Sequence, residues 1–288
     1  MAVLSIQSHV AFGHVGNRSA VFPLELLGFE VWPVNTVQFS NHTGYGSWTG
    51  EVFPARHIEE IWRGMKERGA AASCEAILSG YLGDPGVGQA ILGAVCDVKA
   101  ENPRALYCCD PVMGDYGPGF YVKPGILEFM RAKALPAADI LTPNQFEAEA
   151  LTETAIVSVE DAKAAARALH AMGPRIVLVT SFKPAEGEAG LVSFFLSAEG
   201  SSYLLDTPEL PLNPVPNGAG DLTAALYLAR YLAAGGATLP AVEALELMAD
   251  SVYAVIEATK ARGSRELCIV ASRDEILAPR RRFRARAV

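Results

Sequence analysis

The run Asn217-Gly218-Ala219-Gly220-Asp221 stands immediately ahead of the helical pattern Leu222–Ala234. Glycines at that place leave backbone N–H groups uncovered at a helix N-terminus, where free donors and the helix dipole attract phosphate. Asp221 then falls in the first helical turn, beside the anion. A carboxylate there can take the proton of a hydroxyl that attacks phosphorus. The same residues also read as an ordinary glycine turn with an acidic helix start, and the motif alone does not separate the two. A second group is acidic: Asp110 and Asp115 share one loop, and Glu147 lies one turn into a later helix. Oxygen ligands of this kind suit Mg²⁺, which takes one or two carboxylates plus substrate phosphates and keeps several waters. Taken singly, each acid also reads as a helix cap or a solvated loop residue. His9, His14 and His42 cluster in early loops without the Cys or acid pattern of a metal site, so stacking on or hydrogen bonding to a ligand suits one of them better. His14, like the distant His57 and His170, also reads as a solvated or capping histidine. The chain contains no P-loop, no Gly-x-Gly-x-x-Gly after its first strand, no Gly-x-Ser-x-Gly elbow and no His-Glu-x-x-His.

The elements that must position these residues alternate. Short apolar runs at Ala2–Gln7, Glu30–Gln38, Ala76–Ser79, Ala105–Cys109, Asp139–Leu141 and Arg175–Thr180 read as strands. Between them lie helical patterns: one capped by Asn17 and ending before Gly28, Ala55–Arg68, one opened by Asp84-Pro85, one opened by Thr142-Pro143, and Ser158–Met172. Such alternation predicts right-handed βαβ units and a largely parallel sheet covered on both faces. After Thr180, Leu191–Leu196 and Tyr203–Leu205 read as consecutive antiparallel strands, followed by helices over Ala219–Ala234 and Pro240–Lys260. The expectation is one three-layer αβα domain spanning residues 1–288. Its basic tail, Arg280–Arg286, reads chiefly as solvated, with docking on a partner subunit as the alternative.

In open α/β sheets ligands bind beyond the carboxyl ends of the strands. That rule selects Ser8, Asn41-His42-Thr43, Gly80-Tyr81, Asp110–Asp115, Thr142–Glu147 and Thr180-Ser181 as one edge. Composition narrows the classes further. The chain has 288 residues, half of them hydrophobic, with 24 Lys and Arg against 32 Asp and Glu, giving a net charge of −8. An acidic chain of this kind is a poor generic nucleic-acid binder. Five cysteines do not make a disulfide scaffold. No apolar run reaches the roughly 18 residues of a membrane span, and Met1–Ser8 lacks the basic region of a signal peptide. A cytoplasmic enzyme is expected.

Several segments together resemble the pyridoxal kinases, the vitamin B6 branch of the ribokinase-like superfamily. These are Ser5–Asn17, Asn35–Gly46, Ser79-Gly80-Tyr81, Cys109–Asp115, Leu141–Glu147 and Gly218–Asp221, in the expected order from residue 3 to about 260. The last segment marks the superfamily; the first two are more specific to the B6 kinases. The resemblance implies a ribokinase-like fold and ATP-dependent phosphorylation of the 5′-hydroxyl of pyridoxal, and of pyridoxine and pyridoxamine as further substrates. It implies Asp221 as the base and the amides of Gly218, Ala219 and Gly220 as the anion hole. It implies Ser8, His42, Thr43, Gly44 and Tyr81 around the vitamer ring. Asp110, Asn144, Glu147, Thr180 and Ser181 would contact ATP, with Leu212, Asn213 and Pro214 on the adenine wall. Asp115 and Glu147 would hold Mg²⁺ largely through water, with Thr142 near a monovalent cation, K⁺ or Na⁺. A homodimer is also implied.

The chain departs from the pattern at Asn217, where a small apolar residue is usual, and at Thr180, where some bacterial relatives carry lysine. Pro211, Pro214 and Pro216 stiffen the adenine segment. A hydroxymethylpyrimidine kinase is the alternative enzyme, although such enzymes tend to carry Cys at the anion-hole turn, where Ala219 stands. A sugar kinase would want an Asp-rich early pocket instead of Ser8, His9 and His42. A pyridoxal phosphate carrier without turnover would have no use for Asp221 and the acids.

Overall fold

The computed structural model describes residues 1–232 and 240–288. In chain order its elements are β1 (Ala2–Val10), α1 (Asn17–Leu26), β2 (Glu30–Phe39), β3 (Gly50–Val52), α2 (Ala55–Lys66), α3 (Ala70–Ser73), β4 (Cys74–Ser79), α4 (Pro85–Glu101) and β5 (Leu106–Cys109). There follow the hairpin β6 (Gly114–Asp115) and β7 (Gly119–Phe120), then α5 (Ile126–Phe129), α6 (Leu135–Ala137), β8 (Ile140–Leu141), α7 (Gln145–Thr152), α8 (Val159–Met172) and β9 (Ile176–Phe182). The last group is β10 (Leu191–Ala198), β11 (Ser201–Pro208), α9 (Ala219–Leu232), α10 (Ala241–Ala261), α11 (Arg273–Leu277) and β12 (Arg286–Ala287). The expected extension of α9 to Ala234 lies outside the described residues.

Among the described residues the main sheet has ten strands in the order β12-β11-β10-β9-β8-β5-β4-β1-β2-β3. The run from β9 to β2 is parallel, and β3, β10, β11 and β12 add antiparallel edges. The sheet is therefore mixed, with the expected parallel centre. Alternation along each central strand feeds two cores. Leu4, Ile6, Ile77, Tyr107, Cys109, Leu141, Val177 and Val179 face α2, α4 and α8. Val3, Ala76, Leu78, Cys108, Ile140, Ile176 and Leu178 face α1, α9 and α10. Burial on both faces explains why these strands read as continuous apolar runs.

Because β1 pairs with both β2 and β4, the chain leaves β1 to opposite sides. The crevice at such a switch point is where open α/β sheets bind ligands.

Three sequence expectations need correction. Strand β1 continues through Val10, so Ser8 lies inside it rather than after it. Gly16, not Asn17, is the cap residue of α1. Asn17 turns inward instead: it accepts from Ser5 Oγ (2.8 Å) and donates to Asn35 Oδ1 (2.8 Å) and the Val34 carbonyl (3.2 Å), tying α1 to β1 and β2. The tail is exposed along most of its length, as a solvated segment would be, but it is tied to the body. Asp250 Oδ1 accepts the backbone N–H groups of Arg282 (2.8 Å) and Phe283 (3.1 Å), Arg281 and Arg284 pair with Glu246, and β12 closes against β11.

Candidate active site

The carboxyl ends of β5 and β8 bring the first acids together. The Asp110 amide donates to the Ser79 carbonyl (2.9 Å), and the Thr142 amide donates to Cys109 (3.1 Å). Thr142 then donates its hydroxyl to Asp110 Oδ1 (3.1 Å). Glu147 caps α7 with Asn144: Asn144 Oδ1 accepts the Glu147 amide (2.8 Å), and Glu147 Oε2 accepts the Asn144 amide (2.9 Å). Its other oxygen, Oε1, accepts the amides of Met113 (2.8 Å) and Gly114 (3.4 Å). Asn144 Nδ2 donates to the Gly114 carbonyl (2.8 Å). Loop 110–121 is thereby pinned to the start of α7, with Phe120 edge-on to Phe146 at 5.0 Å.

On the other side of the crevice, Gly218 begins the turn into α9 with φ +87°. A Cβ built there would lie 1.9 Å from the His14 carbonyl and 2.7 Å from Ser19 Oγ, so only glycine lets the β1–α1 loop approach this closely. Among the described residues, Ser19 Oγ and His14 Nδ1 are both buried without a partner. A Cβ at Gly220 meets nothing within 4 Å, so that side of the turn is open.

Burial is the main cause that raises the Asp221 carboxyl above the usual range, while the Gly16 amide, which donates to it, pulls it back. Asp110 is raised well above its usual value, first by burial and then by repulsion from Glu147 and Asp221. Burial pushes Glu147 up to about 8 against three stabilising backbone donors. Mutual repulsion therefore couples acids from three elements, and a cation placed among them would relieve it. Tyr121 belongs to the same centre. Its hydroxyl is raised by burial and by Glu147, Asp110, Asp221 and Asp115. In the sequence Tyr121 reads only as the end of the loop Asp115–Tyr121, whose Gly117 and Gly119 permit motion over ATP, and it carries no role of its own.

Among the remaining expected residues, His42 caps the short turn Thr43–Tyr45. Its Nδ1 accepts the Gly44 amide (3.1 Å), so the neutral ring carries its proton on Nε2. Burial holds its pKa below the ordinary value, in keeping with that neutral form. A Cβ on Gly44 would lie 3.7 Å from Asn217 Nδ2, which places this turn beside the glycine-rich turn. The Tyr81 carbonyl accepts the Thr36 hydroxyl (3.0 Å), fixing the segment after β4. Strand β9 runs through Phe182, so Thr180 and Ser181 lie inside it rather than beyond it; Thr180 bridges to Asn144 at the start of α7, and Ser181 takes the left-handed conformation at φ +54°. Leu212 is half-buried, and Asn213 and Pro214 are exposed.

Among the described residues no three His, Cys, Asp or Glu side chains form a ready metal cluster. The reason is visible in Glu147, whose oxygens face three amides, and in Asp115, which accepts the Tyr116 amide at 2.7 Å. Asp115, Glu147 and Thr142 are thus not a closed ligand set. Water-mediated holding is what their geometry allows. A cavity of about 1060 Å³ lies at the opposite sheet edge, near Leu106, Ile140 and Ile176. Its Arg175 and Lys163 are paired with Asp139 and Glu160, and Arg167 also lines it.

A family model described as phosphomethylpyrimidine kinase matches residues 69–264. A pyridoxal kinase PdxY of Rubrobacter xylanophilus is 53% identical over 287 residues, covering 99% of this chain and 97% of the relative. The pyridoxal kinase of Leishmania donovani, solved with ADP and ginkgotoxin, superposes with a TM-score of 0.92 at 30% identity, covering 100% of this chain and 99% of that one. The same enzyme with ADP and pyridoxamine gives the same TM-score, identity and coverage. The full-length relationship thus extends beyond the segment matched by the pyrimidine kinase model, and the chain belongs to the pyridoxal kinase family.

Proposed function

We infer that this protein transfers the γ-phosphoryl group of ATP to the 5′-hydroxyl of a B6 vitamer, with Asp221 as the base. The observation that carries the assignment is the Asp221 carboxylate in the first turn of α9, with a raised pKa, beside a glycine turn open at Gly220. A raised carboxylate is a better proton acceptor than an ordinary aspartate. The amides of Gly218, Ala219 and Gly220 stabilise the charge that spreads over the transferred group. Ser8, His42, Thr43, Gly44 and Tyr81 hold the vitamer ring, with His42 offering Nε2–H. Asp110, Asn144, Glu147, Thr180 and Ser181 contact the nucleotide, and Leu212, Asn213 and Pro214 border the adenine.

The donor set fits Mg²⁺: it is all oxygen, and its carboxyls are raised first by burial and then by neighbouring acids, both of which a cation would offset. Asp115 and Glu147 would hold the ion through water, and Thr142 with Asp110 would face a K⁺ or Na⁺ ion. When bound, Mg²⁺ supplies charge neutralisation between phosphate oxygens and these acids. Tyr121, whose hydroxyl feels the charges of Glu147, Asp110 and Asp221, borders the same centre. The chain works as one ribokinase-like domain over 1–288, as a homodimer, in the cytoplasm. Among the described residues no helix is long and apolar enough to cross a membrane.

The test is ADP release on pyridoxal, pyridoxine, pyridoxamine and hydroxymethylpyrimidine, with wild type and Asp221→Ala. Wild type turns over the B6 vitamers. The variant loses at least about 100-fold in kcat, the low end for a general base, while still binding ATP. Near-wild-type turnover by Asp221→Ala removes it from the base role. Turnover of hydroxymethylpyrimidine alone overturns the vitamer assignment.

A further inference from the structure

The segment Ser264–Cys268 follows α10, more than 200 residues from the β1–α1 loop and from the turn Thr43–Tyr45 assigned to the vitamer, yet it is bonded to both. Glu266 Oε2 accepts the His14 amide (2.8 Å), and Glu266 Oε1 accepts the Tyr45 hydroxyl (2.5 Å). One carboxylate therefore bridges the β1–α1 loop and the turn Thr43–Tyr45. Arg265 adds two contacts to that turn. Its guanidinium lies 3.6 Å from the Tyr45 ring centroid, and its Nη2 donates to the Gly44 carbonyl (3.3 Å). Phe12 meets the same ring edge-on at 6.1 Å. Gly13 makes room for the carboxylate, since a Cβ there would lie 2.4 Å from Glu266 Oε2. The segment is itself braced: Ser264 Oγ donates to the Glu266 carbonyl (2.6 Å), and the Cys268 amide donates to Thr259 Oγ1 (2.9 Å).

The turn Thr43–Tyr45 is a single exposed turn of helix and contains no buried residue. An unsupported turn of that kind would have to be ordered each time a ligand bound. We propose that Arg265 and Glu266 form a clasp that holds the turn Thr43–Tyr45 against loop 12–16 and so sets the affinity for the planar pyridine substrate. They are positioning residues, reaching the substrate only through Gly44, Tyr45 and His14. The proposal rests on the vitamer reading of Ser8, Thr43 and Gly44.

The experiment is steady-state kinetics on the full chain, varying pyridoxal and ATP separately. Glu266→Ala raises the pyridoxal KM by about tenfold or more, the loss expected for a charge-assisted hydrogen bond, while kcat and the ATP KM stay within about threefold. Glu266→Gln, which keeps one acceptor, recovers part of the loss. Tyr45→Phe adds little to Glu266→Ala, because the bond it removes is already gone. An unchanged pyridoxal KM in folded Glu266→Ala overturns the clasp. So does a parallel loss in kcat and both KM values, which is what a merely structural role gives. If Glu266→Ala does not fold, Tyr45→Phe and Arg265→Met read out the same split, and unchanged pyridoxal KM in both overturns the clasp. Ser8→Ala separates the two levels. If it raises the pyridoxal KM while the clasp variants do not, only the clasp fails; if Ser8→Ala leaves that KM unchanged, the pocket assignment itself falls.

Discussion

Gly218 and Gly220 stand two residues apart in one turn, and different constraints act on them. Gly218 has positive φ and lies against the His14 carbonyl, whereas the space around Gly220 is open. Gly218→Ala therefore strains the backbone, at about 1–3 kcal/mol before any clash is counted, and lowers Tm in a calorimetric scan. Gly220→Ala leaves Tm unchanged and lowers kcat/KM, because its methyl intrudes where a phosphoryl group is to lie. Wild-type kcat/KM in Gly220→Ala would remove that amide from the anion hole. Asp221 carries the pH dependence. Its raised pKa means that the base is protonated, and turnover lost, as pH falls through a value above that of an ordinary aspartate. The acid limb of the kcat profile therefore lies higher than about 4, the free aspartate value. Tyr121→Phe keeps the ring and removes a hydroxyl that feels the charges of Glu147, Asp110 and Asp221; a several-fold fall in kcat with unchanged Tm is expected. Asp221 and its glycines were legible in the sequence because their relationship spans five adjacent residues. Glu266 was not, since its partners His14 and Tyr45 are 252 and 221 positions away.

Elements follow the same division between local and distant causes. The strands β5, β8 and β9 were legible because burial on both faces makes them mostly apolar, while β1 turns polar only at its carboxyl end and at Ser5. Helix α4 starts where the sequence says it should, with Asp84 Oδ1 accepting the Gly86 amide (2.8 Å) and Pro85 in the first turn. Helix α1 shows the limit. Asn17 has the side chain of a cap, but Ser5, Val34 and Asn35 offer it buried partners, and those outcompete the cap. The tail was misread for a related reason. Arg280 pairs nearby with Glu275, but the partners of Arg281, Arg282 and Arg284 are Glu243, Glu246 and Glu257 spaced along α10, and that of Arg286 is Asp206 on β11. Exposed pairs of this sort contribute little each. The stronger tie is Asp250, a buried carboxylate accepting two backbone amides. Removing residues 280–288 strips those donors from it and uncovers β11. Such a truncation lowers Tm by several degrees, since hydrogen bonds to charged groups contribute about 1.5–3 kcal/mol each and each kcal/mol shifts Tm by about 2–4 °C. Its kcat stays near wild type, because the tail closes the sheet beside β11 and not the crevice at β5 and β8. A lost kcat with unchanged Tm would place the tail in the active site.

Charge at the scale of the whole molecule poses the last problem. The protein carries −8 and is to bind a polyphosphate in a crevice that already holds Asp110, Glu147 and Asp221. Lysine is scarce: seven of the 24 basic residues are Lys, and none lies in the motifs at the strand ends. Side-chain cations are therefore not the main clamp on the phosphates. What remains is the backbone donors at the start of α9 and added cations. Burial raises the Asp110 and Glu147 carboxyls and repulsion between neighbouring acids adds to it, so a counter-charge among them is favourable. Two measurements check it together. Thorough chelation abolishes ADP release, and restoring Mg²⁺ recovers it. In thermal melts ATP raises Tm with Mg²⁺ present and much less without it, because stabilisation by a ligand tracks its affinity for the folded state. Substituting Asp115→Asn weakens the Mg²⁺ requirement's concentration midpoint and leaves the pyridoxal KM alone. Activity that survives chelation, or an ATP shift in Tm indifferent to Mg²⁺, would mean that the acids are held by protons rather than by metal, and that the glycine turn alone carries the phosphates.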